Sequence, residues 1–83
     1  MLVQYDTEAG ATYVELVDGV AVARTIEISD LVMVDVDAED NPVGVEFVVP
    51  PRGITDEMLR VVGKRFPELK HLAQQKDWLF TSC

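Results

Sequence analysis

Asp35, Asp37, Glu39 and Asn41 alternate along one acidic stretch, and Glu46 stands eleven residues beyond Asp35. Oxygen-bearing side chains at the first, third, fifth, seventh and twelfth places have the spacing of a calcium-binding loop. A hard divalent cation is the chemistry such a set would serve. The context argues otherwise. The sixth place of such a loop needs glycine for its sharp turn and holds Asp40 here, the eighth holds Pro42, and the flanks are β-branched strands rather than helices. The stretch reads first as a polar β-turn with solvated carboxylates. A weak divalent site on Asp35, Asp37, Glu39 and Glu46 is the alternative use.

Acid–base chemistry on a glycosidic bond needs two carboxylates about 5 to 10 Å apart. Asp6, Glu8, Glu15, Glu27, Asp35 and Glu46 supply carboxylates, but nothing in their spacing selects a pair. His71 is the only histidine, and Ser29, Ser82 and Cys83 lie in no nucleophile motif. The sequence therefore assigns no catalytic residue and implies no cofactor. Two features suit recognition instead. Arg24 falls among Val22, Ile26 and Ile28 on an otherwise apolar strand face, so its guanidinium either reaches water at the strand end or pairs with an acid of the sheet or of a dimer partner. Trp78, Leu79 and Phe80 form an apolar aromatic tail suited to a partner's groove or to completing the core.

The elements that must position these residues follow from periodicity. Leu2–Tyr5, Ala11–Val17, Val20–Ile28, Leu31–Asp37 and Val43–Val49 alternate in polarity between turn-forming residues, which predicts five antiparallel strands in a meander. Asp18-Gly19, between Val17 and Val20, predicts a tight hairpin. Val20, Val22, Arg24, Ile26 and Ile28 should share a core-facing side, as should Val43, Val45, Phe47 and Val49. Gly44, inside a strand pattern, marks a bulge or a close backbone approach to a ligand, with packing against Tyr5 or Tyr13 the simpler explanation. Pro50-Pro51 ends the sheet. Thr55 then suits a helix N-cap, with Asp56 and Glu57 in the first turn and Met58, Leu59, Val62 and Phe66 at helical spacing. Pro67 opens a second helix running to about Gln75. The expectation is one α+β domain over residues 1–83, its sheet at 1–49 and a two-helix tail at 54–83 packed on one sheet face.

Fifteen acidic against seven basic residues give a formal net charge of −8, with Arg24 the only cation through Pro50. This opposes binding to a nucleic-acid backbone or an anionic membrane and favours encounter with basic protein partners. A single cysteine cannot form an internal disulfide, no leader precedes the first strand, and no apolar run is long enough to cross a bilayer. A reduced, cytoplasmic setting is expected. Free sheet edges and the aromatic tail predict a homodimer.

Ordered signatures run through the first 49 residues: Tyr5-Asp6, Glu8-Ala9, Ala11, Tyr13-Val14, Leu16, Thr25, Glu27-Ile28, Asp30, Val34-Asp35, Asp37 and Val43-Gly44-Val45-Glu46. In this succession the chain resembles the bacterial family known as domain of unknown function 2283. It departs from that pattern at Gly10 and Asn41, and residues from about Pro50 onward lie outside the resemblance. The resemblance implies a small β-rich intracellular domain and no particular activity. Some relatives stand beside small toxin-like genes, which points to an antitoxin-type partner role. The functional expectation is a non-enzymatic protein-interaction module, with a small-ligand or divalent-metal domain using the Asp35–Glu46 loop as the alternative.

Overall fold

The computed structural model describes residues 2–74. They form strands β1 (Leu2–Asp6), β2 (Ala11–Glu15), β3 (Arg24–Ser29), β4 (Val32–Val36) and β5 (Pro42–Phe47), then helices α1 (Asp56–Arg65) and α2 (His71–Gln74). Every strand pair is antiparallel. A five-stranded antiparallel sheet followed by two helices is the α+β arrangement the periodicity predicts.

The strand order, β1-β2-β5-β4-β3, differs from a simple meander. β5 stands between β2 and β4, so β2 and β3 are not neighbours and the expected hairpin at Asp18-Gly19 does not form. Gly19 still takes a positive φ of 75°, but its turn lies within a linker, residues 16–23. That linker crosses the end of the sheet and is tied down at both sides. The Leu16 N–H donates to the Val43 carbonyl at 2.9 Å, and the Ala23 N–H donates to the Val36 carbonyl at 2.8 Å. Burial explains the order. Val43, Val45 and Phe47 of β5 are buried, whereas Arg24, Thr25, Glu27 and Ser29 of β3 are exposed. The apolar strand takes a central place, and the charged one becomes an edge that resists further pairing.

The third segment is also shorter than its alternation suggests. β3 begins at Arg24, and Val20 and Val22, which have no ladder partner, are 40% and 50% exposed. Ile26 and Ile28 alone keep their expected places against the core.

Register separates the two faces. Val3, Val14, Val45 and Val34 lie across successive strands in one rung, and Thr12, Phe47 and Val32 in the next. These side chains point to one side and are buried beneath Ile54, Leu59, Val62, Phe66, Leu69 and Leu72. The buried Thr12 hydroxyl donates to the Val49 carbonyl at 2.8 Å, which satisfies the one polar side chain in this layer.

The helices begin where local chemistry predicts. The Thr55 hydroxyl accepts from the Met58 N–H at 3.2 Å, and Asp56 and Glu57 occupy the positive end of α1. The second helix does not run unbroken from Pro67. Pro67–Leu69 is a 3-10 turn, tightened by N–H donation from Leu69 to Phe66 and from Lys70 to Pro67, and α2 starts only at His71. No helix among the described residues is long and apolar enough to cross a membrane.

Leu59 is 1% exposed at the centre of the helical cover. Leu59→Ala is expected to lower unfolding free energy by about 2–5 kcal/mol, read as a reduced urea midpoint. For a chain of this size that is a large share of total stability.

Candidate functional site

The opposite face of the sheet has no described helix over it. Its two rungs run Leu2, Glu15, Gly44, Asp35, Thr25 and Gln4, Tyr13, Glu46, Met33, Glu27. Glu15, Glu27, Asp35 and Glu46 stand there with no lysine or arginine among the ten positions. Tyr13, Met33, Asp35, Glu15 and Glu46 are half-buried.

Tyr13 organises this face. From β2 its ring crosses β5 and its hydroxyl donates to Asp35 Oδ2 on β4 at 3.0 Å. Thr25 on β3 donates to Asp35 Oδ1 at 2.6 Å, so one carboxylate ties together side chains from three strands. The crossing requires Gly44. A Cβ at that position would overlap the Tyr13 hydroxyl oxygen and Cζ and would stand 3.0 Å from Cε2. The close approach suggested by Gly44 is therefore to Tyr13, not to Tyr5.

Burial first, then the hydrogen bond to Asp35 and the charges of Asp35, Glu15 and Glu46, push the Tyr13 phenol up to about 12. The phenol is held neutral and acts as a donor. Both Asp35 oxygens accept hydrogen bonds from side chains, so this carboxylate serves the sheet.

The acidic turn has a different role. Asp37 Oδ1 accepts from the N–H groups of Glu39 and Asn41, each at 2.9 Å, and the Asp40 N–H donates to the Asp37 carbonyl at 3.0 Å. These backbone bonds, led by that from Asn41, hold the Asp37 carboxyl below its usual range. Asp40 closes the turn in the left-handed region at φ 67°. Asp35 and Glu46 lie on the open face, Asp37 organises the turn, and Glu39 is exposed beyond it. Among the described residues no three His, Cys, Asp or Glu side chains come together as a group that could hold a metal ion.

Arg24 begins β3 and pairs with Asp40 across the end of the sheet. Both side chains are well exposed, so the guanidinium is not buried on an apolar face, and the pair contributes about 0–1 kcal/mol. His71 opens α2 with Nδ1 at 3.1 Å from the Glu68 carbonyl oxygen, and it is exposed. Trp78, Leu79 and Phe80 lie outside the described residues.

A family model described as "Protein of unknown function (DUF2283)" matches residues 2–48. The chain belongs to the DUF2283 family. The matched segment ends one residue beyond β5, so it takes in the sheet and the whole Tyr13–Gly44–Asp35–Thr25 arrangement, while α1 and α2 follow it. No curated protein and no solved structure matches the chain.

The cluster itself was not anticipated, although its members were visible individually. Tyr13, Thr25, Asp35 and Gly44 all belong to the DUF2283-like signatures, and each sits at the parity opposite to the core valines. What joins them is the β2-β5-β4-β3 order, which no local pattern carries.

Two outcomes test this geometry. Gly44→Ala is expected to cost about 1–3 kcal/mol in a denaturant titration, and most of that cost should disappear in a Tyr13→Ala background. In an alkaline spectrophotometric titration, the wild-type chain should show a tyrosine ionising near pH 12 that is absent from Tyr13→Phe. Because the folded value lies above the ordinary value of 10, the stabilisation is complete below pH 10 and is lost as pH rises through about 12.

Proposed function

We propose that the chain is a non-enzymatic interaction module whose open, acidic sheet face binds a protein partner presenting lysine and arginine side chains. The observation that carries this reading is the composition of that face: Glu15, Glu27, Asp35 and Glu46 surround Tyr13 and Met33, with no cation between them. An aromatic ring and a thioether give a partner apolar contact, and the surrounding carboxylates select basic side chains over acidic ones. A guanidinium laid across Tyr13 would gain both ring contact and charge.

The same arrangement gives little support to catalysis. Tyr13 is held protonated and Asp35 is engaged by Tyr13 and Thr25, so neither stands ready as a general base. The remaining carboxylates, Glu15, Glu27 and Glu46, sit around the network and are available to a partner. An antitoxin-like role is one form of such binding, since an acidic module would cover a basic effector.

The test is affinity purification with mass spectrometry from the native host, comparing the wild-type chain with a Glu15→Lys, Glu46→Lys variant. The wild type should retain a basic protein whose binding weakens with salt. The variant should bind that protein at least tenfold more weakly, on the order of 1.4 kcal/mol, while remaining folded by circular dichroism. Equal retention by the folded variant would show that the sheet face is not the binding surface.

A further inference from the structure

None of the backbone hydrogen bonds among the described residues uses Val20, Ala21 or Val22, and all three residues are exposed. The stretch is nonetheless held in place. The Leu16 N–H is bonded to Val43 before it, and the Ala23 N–H to Val36 after it, where the chain enters the edge strand β3. Of the six large apolar side chains exposed among the described residues, Leu2, Val17, Val20 and Val22 gather at this one end of the sheet. Apolar surface beside unpaired amides and carbonyls is a template for an added strand, and valine at both 20 and 22 suits that conformation. We propose that residues 20–23 are the dimerisation strand of this chain, pairing antiparallel with the same residues of a second copy.

The occupant follows from the sequence of the stretch itself. Pairing about a two-fold axis at Ala21 sets Val20 of each copy opposite Val22 of the other, and brings Asp18 of each toward Arg24 of the other. Moving the axis by one residue sets Arg24 against Val20 or Leu16 instead, and the charge match is lost. A basic partner finds no such match, because residues 19–23 carry no charge. Backbone direction agrees. The Ala23 N–H points into the sheet, so strand alternation turns the Val22 N–H outward, and that of Val20 with it. Arg24 stands well exposed beside Asp40, so its guanidinium can donate to Asp18 as a second carboxylate. Edge-to-edge pairing leaves the acidic face of each copy open, and the dimer therefore stands apart from the binding role proposed above.

In sedimentation velocity the full-length chain should pass from monomer to dimer as concentration rises. Across the same range, hydrogen exchange at the Val20 and Val22 amides should slow by on the order of tenfold or more, a readout that needs no variant. Val22→Pro removes an N–H that the folded monomer does not use, and should give a folded monomer. Arg24→Asp should weaken the dimer by on the order of tenfold, because it sets two acidic side chains together, and Asp18→Arg added to it should restore association. A chain that stays monomeric at millimolar concentration, a dimer that persists in folded Val22→Pro, or a double charge reversal that fails to restore association would overturn the proposal. Slow exchange at Val20 and Val22 that does not change with concentration would also overturn it, by assigning the stretch to a contact within one copy.

Discussion

The ring of Tyr13 and the backbone of Gly44 share a space that admits no further atom. A side chain of any size on residue 44 would displace the tyrosine from the line that leads to Asp35. This single exclusion couples three strands on the open face, because the ring starts on β2, lies over β5 and ends on β4, where Thr25 of β3 meets the same carboxylate. A slip of one residue in either β2–β5 or β4–β5 would turn Gly44 to the core and send a valine beneath the ring. The network therefore holds the register of the centre of the sheet at the place where the chain departs from nearest-neighbour pairing.

The two faces make different contributions. On the covered face, Val14, Val32, Val34, Val36, Val45 and Phe47 are wholly removed from water, and each such side chain stabilises the fold by about 1.5–3 kcal/mol. On the open face, each hydrogen bond to Asp35 adds only about 0.5–1.5 kcal/mol net. Burial sets how stable the sheet is. Burial also sets the strand order, and the Asp35 bonds reinforce its register, since a tyrosine lying over a glycine fits only one alignment of β2, β5 and β4.

That division explains which features were legible along the chain. Local devices were: the Thr55 cap, the turn chemistry at Asp6 and at Asp37–Asn41, and the alternation that gives five strands all appear as expected, because each depends on residues within a few positions of one another. Asp18-Gly19 misled for the same reason. Its backbone does take the positive φ that such a pair favours, but a turn constrains only the chain direction, and whether its flanks pair depends on what competes for the central place. Val43–Phe47 wins that place over Arg24–Ser29 by burying more apolar surface, a long-range comparison that no short window contains. Arg24 follows suit. Alternation placed it on an apolar face, yet the edge position of β3 leaves it in water beside Asp40.

Charge is divided as sharply as polarity. The described cations after Arg24 are Arg52, Arg60, Lys64, Arg65 and Lys70, all in the helical half, and Arg60 is held by Glu57 through a bidentate pair at 2.9 and 2.6 Å. The two rungs of the open sheet face carry carboxylates and no lysine or arginine of their own, although Lys64 and Arg65 of α1 come near Glu27 at its edge. On that face Asp35 accepts from two hydroxyl donors, and Tyr13 beside it stays neutral. Under the proposed reading, a basic partner would meet there the carboxylates that the Tyr13 network leaves unused. A neutral partner would gain nothing from them, so in that proposal discrimination rests on charge carried by Glu15, Glu27 and Glu46 rather than on the hydrogen-bonded Asp35.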